Sequence, residues 1–383
     1  LRYKGAGTQG ETSMHIGVRS LLAFALLALG SGLAAAAPAP SAAPPEASAA
    51  VAPAAAAAPA APAAKPSAAP MAMPHPLKQL SVITFAGGTN LPLWVAERQG
   101  FFAKQGLEIR TTFTPGSIYQ MSNLIAGTYD IAMTALDNVV AYDEGQGEWP
   151  VPPNPDLVAV LGADDYFLSL VTQKPYTTFA SLRGKTLSVD ALTTGFAFVL
   201  EELLEKHGVL PAQVHFVKKG GVLYRYRDML KNKDDAGTIQ ITPFDLMGQA
   251  HGMNVLARVR TALGPYQGEV AAVRRAWAVT HREEVIGFIR AYKQAIAWLY
   301  QPANREVAAA ILVAHLPAMT FPLARQTLAI FLAPKGGFYR DSAPDMAGIA
   351  RVLALRTKYG TPHKVLDNPM KYVDLSYLNA ASH

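Results

Sequence analysis

Cysteine is absent from all 383 residues. Its absence excludes a disulfide framework, a zinc–thiolate site, a cysteine nucleophile and a lipidated-cysteine anchor. Long apolar runs are scarce too. Beyond Leu21–Leu33 (LLAFALLALGSGL) no stretch is apolar enough to cross a bilayer, and that run itself falls short of the about 20 residues a span needs. The net charge is +6, from 34 Lys and Arg against 28 Asp and Glu, without any run of five or six basic residues. The densest cluster is Lys218-Lys219 followed by Arg225 and Arg227. Scattered charge of this kind is a solvated surface, so no nucleic-acid partner is expected. Catalytic signatures are also missing. None of the nine histidines falls in H-E-x-x-H or in H-x-x-x-H on a helix, so no metal site is expected. No G-x-S-x-G elbow occurs. Gly145-Gln146-Gly147 runs into Trp149-Pro150 rather than a helix, and Gly87-Gly88 lacks both the dinucleotide spacing and a Gly-Lys-Ser/Thr. The chain is therefore read as a non-enzyme with no catalytic residue and no cofactor.

What is present has a clear order. Residues 1–37 read as an upstream extension followed, from Met14, by a signal peptide: a short n-region with Arg19, the apolar run, then A-x-A sites in Ala34–Ala37. An exported, cleaved, periplasmic protein is expected. Residues 38–76 are Ala/Pro-rich; repeated proline blocks helix and sheet, so this reads as a disordered linker. From residue 77 short β-type runs alternate with helix-type runs. Leu80–Ala86, Leu107–Thr114 and Asp130–Ala135 read as strands, with helices after Pro92, after Ser117 and over Leu136–Glu144. A second set follows, with strands at Leu157–Gly162, Leu168–Gln173, Thr186–Asp190, Val214–Lys218, Ala236–Thr242 and Asn254–Val259. Its helix over Thr193–His207 places Phe196, Val199, Leu200, Leu203 and Leu204 on one face. Val270–Thr280 reads as strand, and long helices then run to the C-terminus. The fold class is α/β, with two lobes, each a mainly parallel sheet flanked by helices. Lobe I is expected over 77–172 and 263–383, including the C-terminal helices, and lobe II over 173–262.

In open parallel sheets ligands lie beyond the carboxyl ends of the strands, where helix N-termini present unpaired N–H groups. The strand-to-helix junctions nominate Thr89, Asn90, Ser117, Thr134 and Asp137 in the first lobe. In the second they nominate Asp190, Thr193, Thr194 and Thr242. Small and hydroxyl residues let a backbone approach a ligand and can donate or accept. Thr193-Thr194-Gly195 is the sharpest junction: a carboxylate, sulfonate or phosphate is expected at the helix it opens, against the plainer reading of a Thr cap. Aromatics near the junctions, Tyr119, Tyr142, Trp149, Tyr166 and Phe167, are wall candidates. Asp137, Asp164 and Asp165 are candidates for a cationic group, against solvated loop acids.

Leu93–Gly106 (LWVAERQGFFAKQG) resembles the A-x-x-x-G-x-F-x-x-x-G signature of periplasmic solute-binding proteins of the nitrate/sulfonate/taurine and thiamine-pyrimidine-precursor group, the NMT1/SsuA-like proteins of ABC importers. Leu124–Ile131 (LIAGTYDI) resembles their L-x-x-G-x-x-D step, and Leu182–Lys185 (LRGK) their L-K-G-K entry to lobe II. Leu203–Gly208, Asp235-Ala236 with Pro243, and Tyr372–Leu378 match further steps, so the likeness spans about residues 79–380. The resemblance implies a type II periplasmic-binding-protein fold, with crossover segments near 170–180 and 262–275. It implies an interlobe cleft for a small organic or oxyanion solute, and delivery by a monomer to an inner-membrane ABC permease. A ligand sensor for a membrane kinase would use the same residues. A pyrimidine-synthase-like enzyme would need a cysteine-rich motif, which is missing. No arginine stands at a junction as an anion clamp, which weakens the nitrate or sulfonate reading and leaves room for a heterocycle.

Overall fold

The computed structural model describes residues 76–382. The extension, the signal peptide and all but the last residue of the linker lie outside the described residues.

The chain opens with β1 (Lys78–Phe85), α1 (Leu91–Arg98), α2 (Phe101–Lys104), β2 (Leu107–Thr114), α3 (Ser117–Ala126), β3 (Ile131–Ala135), α4 (Leu136–Asp143) and β4 (Leu157–Gly162). It then crosses to a second sheet. That half holds β5 (Ser169–Thr172), β6 (Thr186–Val189), α5 (Gly195–Lys206), β7 (His215–Lys218), α6 (Val222–Lys231), β8 (Asp235–Gln240), α7 (Phe244–Ala250), β9 (Asn254–Arg258) and α8 (Val259–Leu263). After the return crossing come β10 (Glu269–Arg274), α9 (Arg275–Thr280), α10 (Arg282–Leu299), α11 (Arg305–His315), α12 (Phe321–Phe331), α13 (Met346–Tyr359) and α14 (Leu375–Ala380).

The sheets run β2-β1-β3-β10-β4 and β7-β6-β8-β5-β9. In the first, β1 pairs parallel with β2 and β3, while β10 is antiparallel to β3 and β4. In the second, β6 pairs parallel with β7 and β8, while β5 is antiparallel to β8 and β9. Each antiparallel strand is the one that has just arrived from the other lobe. It enters at the cleft, where the parallel strands end, and so must run against them. The chain is α/β, two-lobed and mainly parallel in each sheet, as the sequence implies, with one reversed strand per lobe.

Three details differ from expectation. The first crossing falls at 163–168, not 170–180, because Ser169–Thr172 already pairs in the second sheet. The strand expected over Val270–Thr280 stops at Arg274 and a helix takes over; the Ala-Trp-Ala-Val run looks strand-like, but only Ala278 of that helix is buried. The helical tail does not cover the first lobe alone. α10 packs on α1 and α2, and α14 on β4, but α13 lies against both α4 and α5 and so touches both lobes. The amphipathic stripe of α10 is as read: Val285, Phe288, Ile289, Tyr292, Ile296 and Leu299 are all fully buried. Each such side chain contributes about 1.5–3 kcal/mol of burial.

The two crossings are laced together. The Gly268 N–H donates to the Asp164 carbonyl at 3.0 Å, and the Leu136 N–H donates to the Gly268 carbonyl at 3.0 Å. Tyr166 and Phe167 adopt left-handed φ values of 59° and 53°. Asp164 Oδ1 accepts from the Tyr166 N–H at 2.7 Å and Asp165 Oδ1 from the Phe167 N–H at 3.0 Å, which holds that sparsely populated backbone in place.

Candidate functional site

The parallel strands of both sheets end at one cleft, and the helices that follow them begin there. The lobes meet across it. The Gly221 N–H, at the start of α6, donates to the Pro115 carbonyl at 2.9 Å. Glu148 accepts from Lys218 Nζ at 2.5 Å and from the Leu192 N–H at 2.8 Å. Neither α3 nor α5 is capped by its own side chain. Each is capped from the opposite lobe. Asp190 Oδ2 accepts from the Ser117 N–H at 2.9 Å, and Asp137 Oδ2 accepts from the Gly195 N–H at 2.5 Å. Orphan N–H groups and the positive dipole end thus receive a carboxylate, as physics requires, but the carboxylate is the protein's own.

Behind these contacts a cavity of about 30 Å³ remains, room for roughly one water. Phe85, Ala135, Asp137, Asn138 and Tyr166 line it from the first lobe and the crossing. Asp190, Thr194, Gly195, Phe196, Gly221, Val222, Arg225 and Ile241 line it from the second. The Tyr166 and Phe196 rings meet edge to face at 5.5 Å. Beyond Gly87 a mostly apolar groove of about 400 Å³ also runs between the lobes, walled by Trp94 and Phe113 on one side and Tyr226 and Met247 on the other.

Two buried arginines set the electrostatics. Arg356, on α13, is bidentate to Asp137 at 2.7 and 2.6 Å and also donates to the Thr193 carbonyl at 2.8 Å. Arg225, on α6, donates to Thr238 Oγ1 at 2.9 Å, the Gly220 carbonyl at 2.6 Å and the Ile239 carbonyl at 3.0 Å. Burial brings its pKa down to about 10, opposed by Asp190 and Asp235. Burial also pushes the Asp190 carboxyl up, opposed by Arg225 and the Ser117 hydrogen bonds. At the crossings burial raises both Asp164 and Glu269; the Asp165 charge raises Asp164 further and the Asp164 charge raises Glu269 further, while backbone hydrogen bonds from Tyr166 and Glu269 oppose the shift at Asp164. The hydroxyls of Tyr166 and Tyr266 are buried and have no partner among the described residues.

Of the nominated residues, Asp137, Tyr166, Asp190 and Thr194 line the cavity, and Ser117 and Thr193 line a small recess beside it. The other four stand behind the cleft. Asn90 binds the Phe85 and Gly87 carbonyls and accepts from Thr84, fixing the turn after β1. Thr134 accepts from Asn138, Thr89 is the polar neighbour of Glu269, and Thr242 is fully buried. Thr194 is no side-chain cap: its hydroxyl donates to the Ala191 carbonyl. Among the wall candidates, Tyr119 and Trp149 are exposed and Phe167 packs in the first lobe's core. Asp164 and Asp165 are buried rather than solvated, and Asp165 pairs with Arg260 at 2.8 Å. The expectation that no arginine serves a junction is corrected twice, by Arg225 and Arg356. Both had a signal. Arg225 follows Gly220-Gly221 at the junction after β7, and Arg356 continues the buried stripe of Ile349, Val352 and Leu353. Among the described residues no group of three His, Asp or Glu stands close enough to hold a metal ion.

The site offers one hydrogen-bonded charge pair, Arg356 with Asp137, a second buried arginine, Arg225, that acts on Asp190 through space, aromatic faces and a few unpaired hydroxyls. It can hold and orient a small molecule between two surfaces. A family model described as "NMT1/THI5 like" matches residues 89–305, more than half of the chain. YtlA of Bacillus subtilis (strain 168), named as a binding protein, is 22% identical over 233 residues, 57% of this chain. The match spans 65% of YtlA, under two-thirds of its length. Among solved structures, the ligand-binding component of an ABC-type import system from Staphylococcus aureus aligns with a TM-score of 0.64 at 13% identity, covering 79% of this chain and 99% of that one. The nitrate-binding protein NrtA of Synechocystis PCC 6803 aligns with a TM-score of 0.64 at 12% identity, covering 80% and 88%. At such identities these likenesses show the periplasmic-binding-protein fold.

Proposed function

The chain belongs to the NMT1/THI5-like family, and from that premise we propose that it is the solute-binding component of an ABC importer. It captures a small molecule between its lobes and presents the closed form to a membrane permease. The observation that supports this most is reciprocal capping across the cleft: Asp190 on α3 and Asp137 on α5 are contacts that exist only when the lobes are shut. Such contacts define a closed state that a ligand can favour over an open one. The solved neighbours are a ligand-binding component and a nitrate-binding protein, which supports a non-catalytic role. No helix among the described residues is long and apolar enough to cross a membrane. The protein acts outside the inner membrane, as the expected signal peptide and linker imply.

The test is mass spectrometry of the full chain under native conditions, then release and identification of any co-purified molecule. A thermal shift should accompany its return. A ligand at about 100 times its Kd stabilises the folded state by about 2.7 kcal/mol. No co-purified molecule, together with no saturable shift across panels of anionic, neutral and cationic solutes, would sink the reading.

A further inference from the structure

The geometry points to a net-uncharged solute in the interlobe cleft, with oxyanions excluded by the protein's own carboxylates. This deepens the solute-binding reading and rests on it.

Two helix starts face each other across the cleft. In an anion binder the N–H groups of Ser117 and Gly195 would be free to receive the ligand. Here each already holds a carboxylate from the other lobe, at 2.9 Å and 2.5 Å. The approach is built in, because a glycine stands at each start. A Cβ on Gly116 would lie 2.8 Å from Asp190 Oδ1, and one on Gly195 would lie 2.4 Å from Asp137 Cγ. Both glycines keep φ values open to other residues, so they are there for room and not for backbone freedom.

Charge makes the same point independently. Asp137 is bound to Arg356, and Asp190 faces Arg225, whose charge Asp235 also meets, so the acids here already have their cations; both arginines are at most 1% exposed. An oxyanion added to this set would be a buried, uncompensated charge, the costliest group to desolvate. A neutral solute leaves the balance intact. Its polar edge would meet groups with spare capacity: the second oxygen of Asp190, the Asn138 amide and the Tyr166 hydroxyl. With the cleft opened beyond the one-water cavity seen here, its flat faces would meet Phe85 and Phe196, which line that cavity.

Asp190→Ala tests this. It removes one negative charge beside Arg225 and frees the Ser117 N–H, so the cleft should become an anion site. Nitrate and methanesulfonate are the probes, read by thermal shift and by calorimetry on the full chain. The wild type should show no saturable response at millimolar probe. Asp190→Ala should bind at least one of them about tenfold or more tightly than the wild type does. Asp190→Asn keeps an acceptor for Ser117 but not the charge. It should fall between the two, and it carries the test if the alanine variant fails to fold. Any molecule that co-purifies with the wild type should be net uncharged at neutral pH. Saturable binding of either anion to the wild type overturns the charge argument and leaves the solute-binding reading standing. So does an anionic co-purified molecule, or folded variants that gain nothing. Failure to find a ligand of any charge removes the solute-binding reading and this one with it.

Discussion

Cutting the bond between α13 and the cleft should be among the costliest single changes at the site. Arg356→Met is the perturbation. It removes two bonds to Asp137, at 2.7 and 2.6 Å, and one to the Thr193 carbonyl at 2.8 Å. Both partners are out of solvent, with side-chain exposures of 0% and 2%. Asp137 would then keep only the Gly195 N–H. Breaking a buried pair by removing one partner costs about 3–5 kcal/mol, since a charge is left uncompensated. For a folded body of about 300 residues the unfolding entropy is about 0.6 kcal/mol/K, so the melting temperature should fall by about 5–8 °C. Asp137→Asn should cost a similar amount, because it strands the arginine. The double variant carries neither charge and should recover at least about 2 kcal/mol relative to the sum, as buried pairs replaced by neutral groups are often near neutral. Since α13 touches both α4 and α5, Arg356→Met should also enlarge the radius of gyration by small-angle scattering. Single variants that each cost under about 1 kcal/mol, or a double that is additive within about 0.5 kcal/mol, would refute the claim that this pair clamps the lobes.

Gly195→Ala places a methyl 2.4 Å from Asp137 Cγ and 2.5 Å from the Tyr266 hydroxyl. It should cost about 1–3 kcal/mol and weaken solute affinity, with melting and calorimetry as readouts. Burial, then the Asp164 charge, raises the Glu269 carboxyl well above its ordinary range. Its folded pKa exceeds its unfolded one, so stability is present at low pH and is lost as pH rises from about 4.3 towards the folded value. Glu269→Gln should therefore raise the melting temperature more at pH 8 than at pH 5, and an equal gain at both contradicts the assignment. Glu144 is the opposite case. Burial pushes it up, but hydrogen bonds from Lys371, Lys364 and Tyr372 prevail and hold it down at about 2. Its contribution is complete above about pH 4.3 and is lost as pH falls towards 2. Replacing Lys364 and Lys371 by alanine should shift the Glu144 titration upward by NMR and flatten the acid limb of stability in that window.

The sheets and the long helices were legible because their signals are local. Period-2 runs bounded by Gly and Pro read as strands, and the Phe196–Leu204 stripe read as a helix of lobe II. The end of β10 was not legible. Ala276–Val279 has strand composition, and what ends the strand is the length of its partners β3 and β4, which composition does not encode. The position of the first crossing escaped for the same reason: Ser169–Thr172 is apolar enough for either sheet, and its pairing with β8 and β9 decides.

At the junctions the sequence expectation and the folded chain differ in what meets the helix starts. Small and hydroxyl residues after the strands were read as room for a ligand's acid. In the folded chain that room admits Asp137 and Asp190, which lie 58 and 73 positions from the N–H groups they cap. Nothing local could reveal it, because the contact exists only between closed lobes. Arg356 lies 219 positions from Asp137 and read as one basic residue in a C-terminal helix. Its apolar neighbours were the usable clue: a charged residue placed in a buried stripe must have a partner, and the partner must be an acid in the core. Asp137 and Asp190 stand at junctions of opposite lobes, so each bond spans the cleft. The same two acids proposed to exclude an anionic ligand therefore also tie the lobes together. Closure and selectivity rest on one set of charges, and a substitution that alters ligand charge preference should alter the open–closed equilibrium in the same measurement.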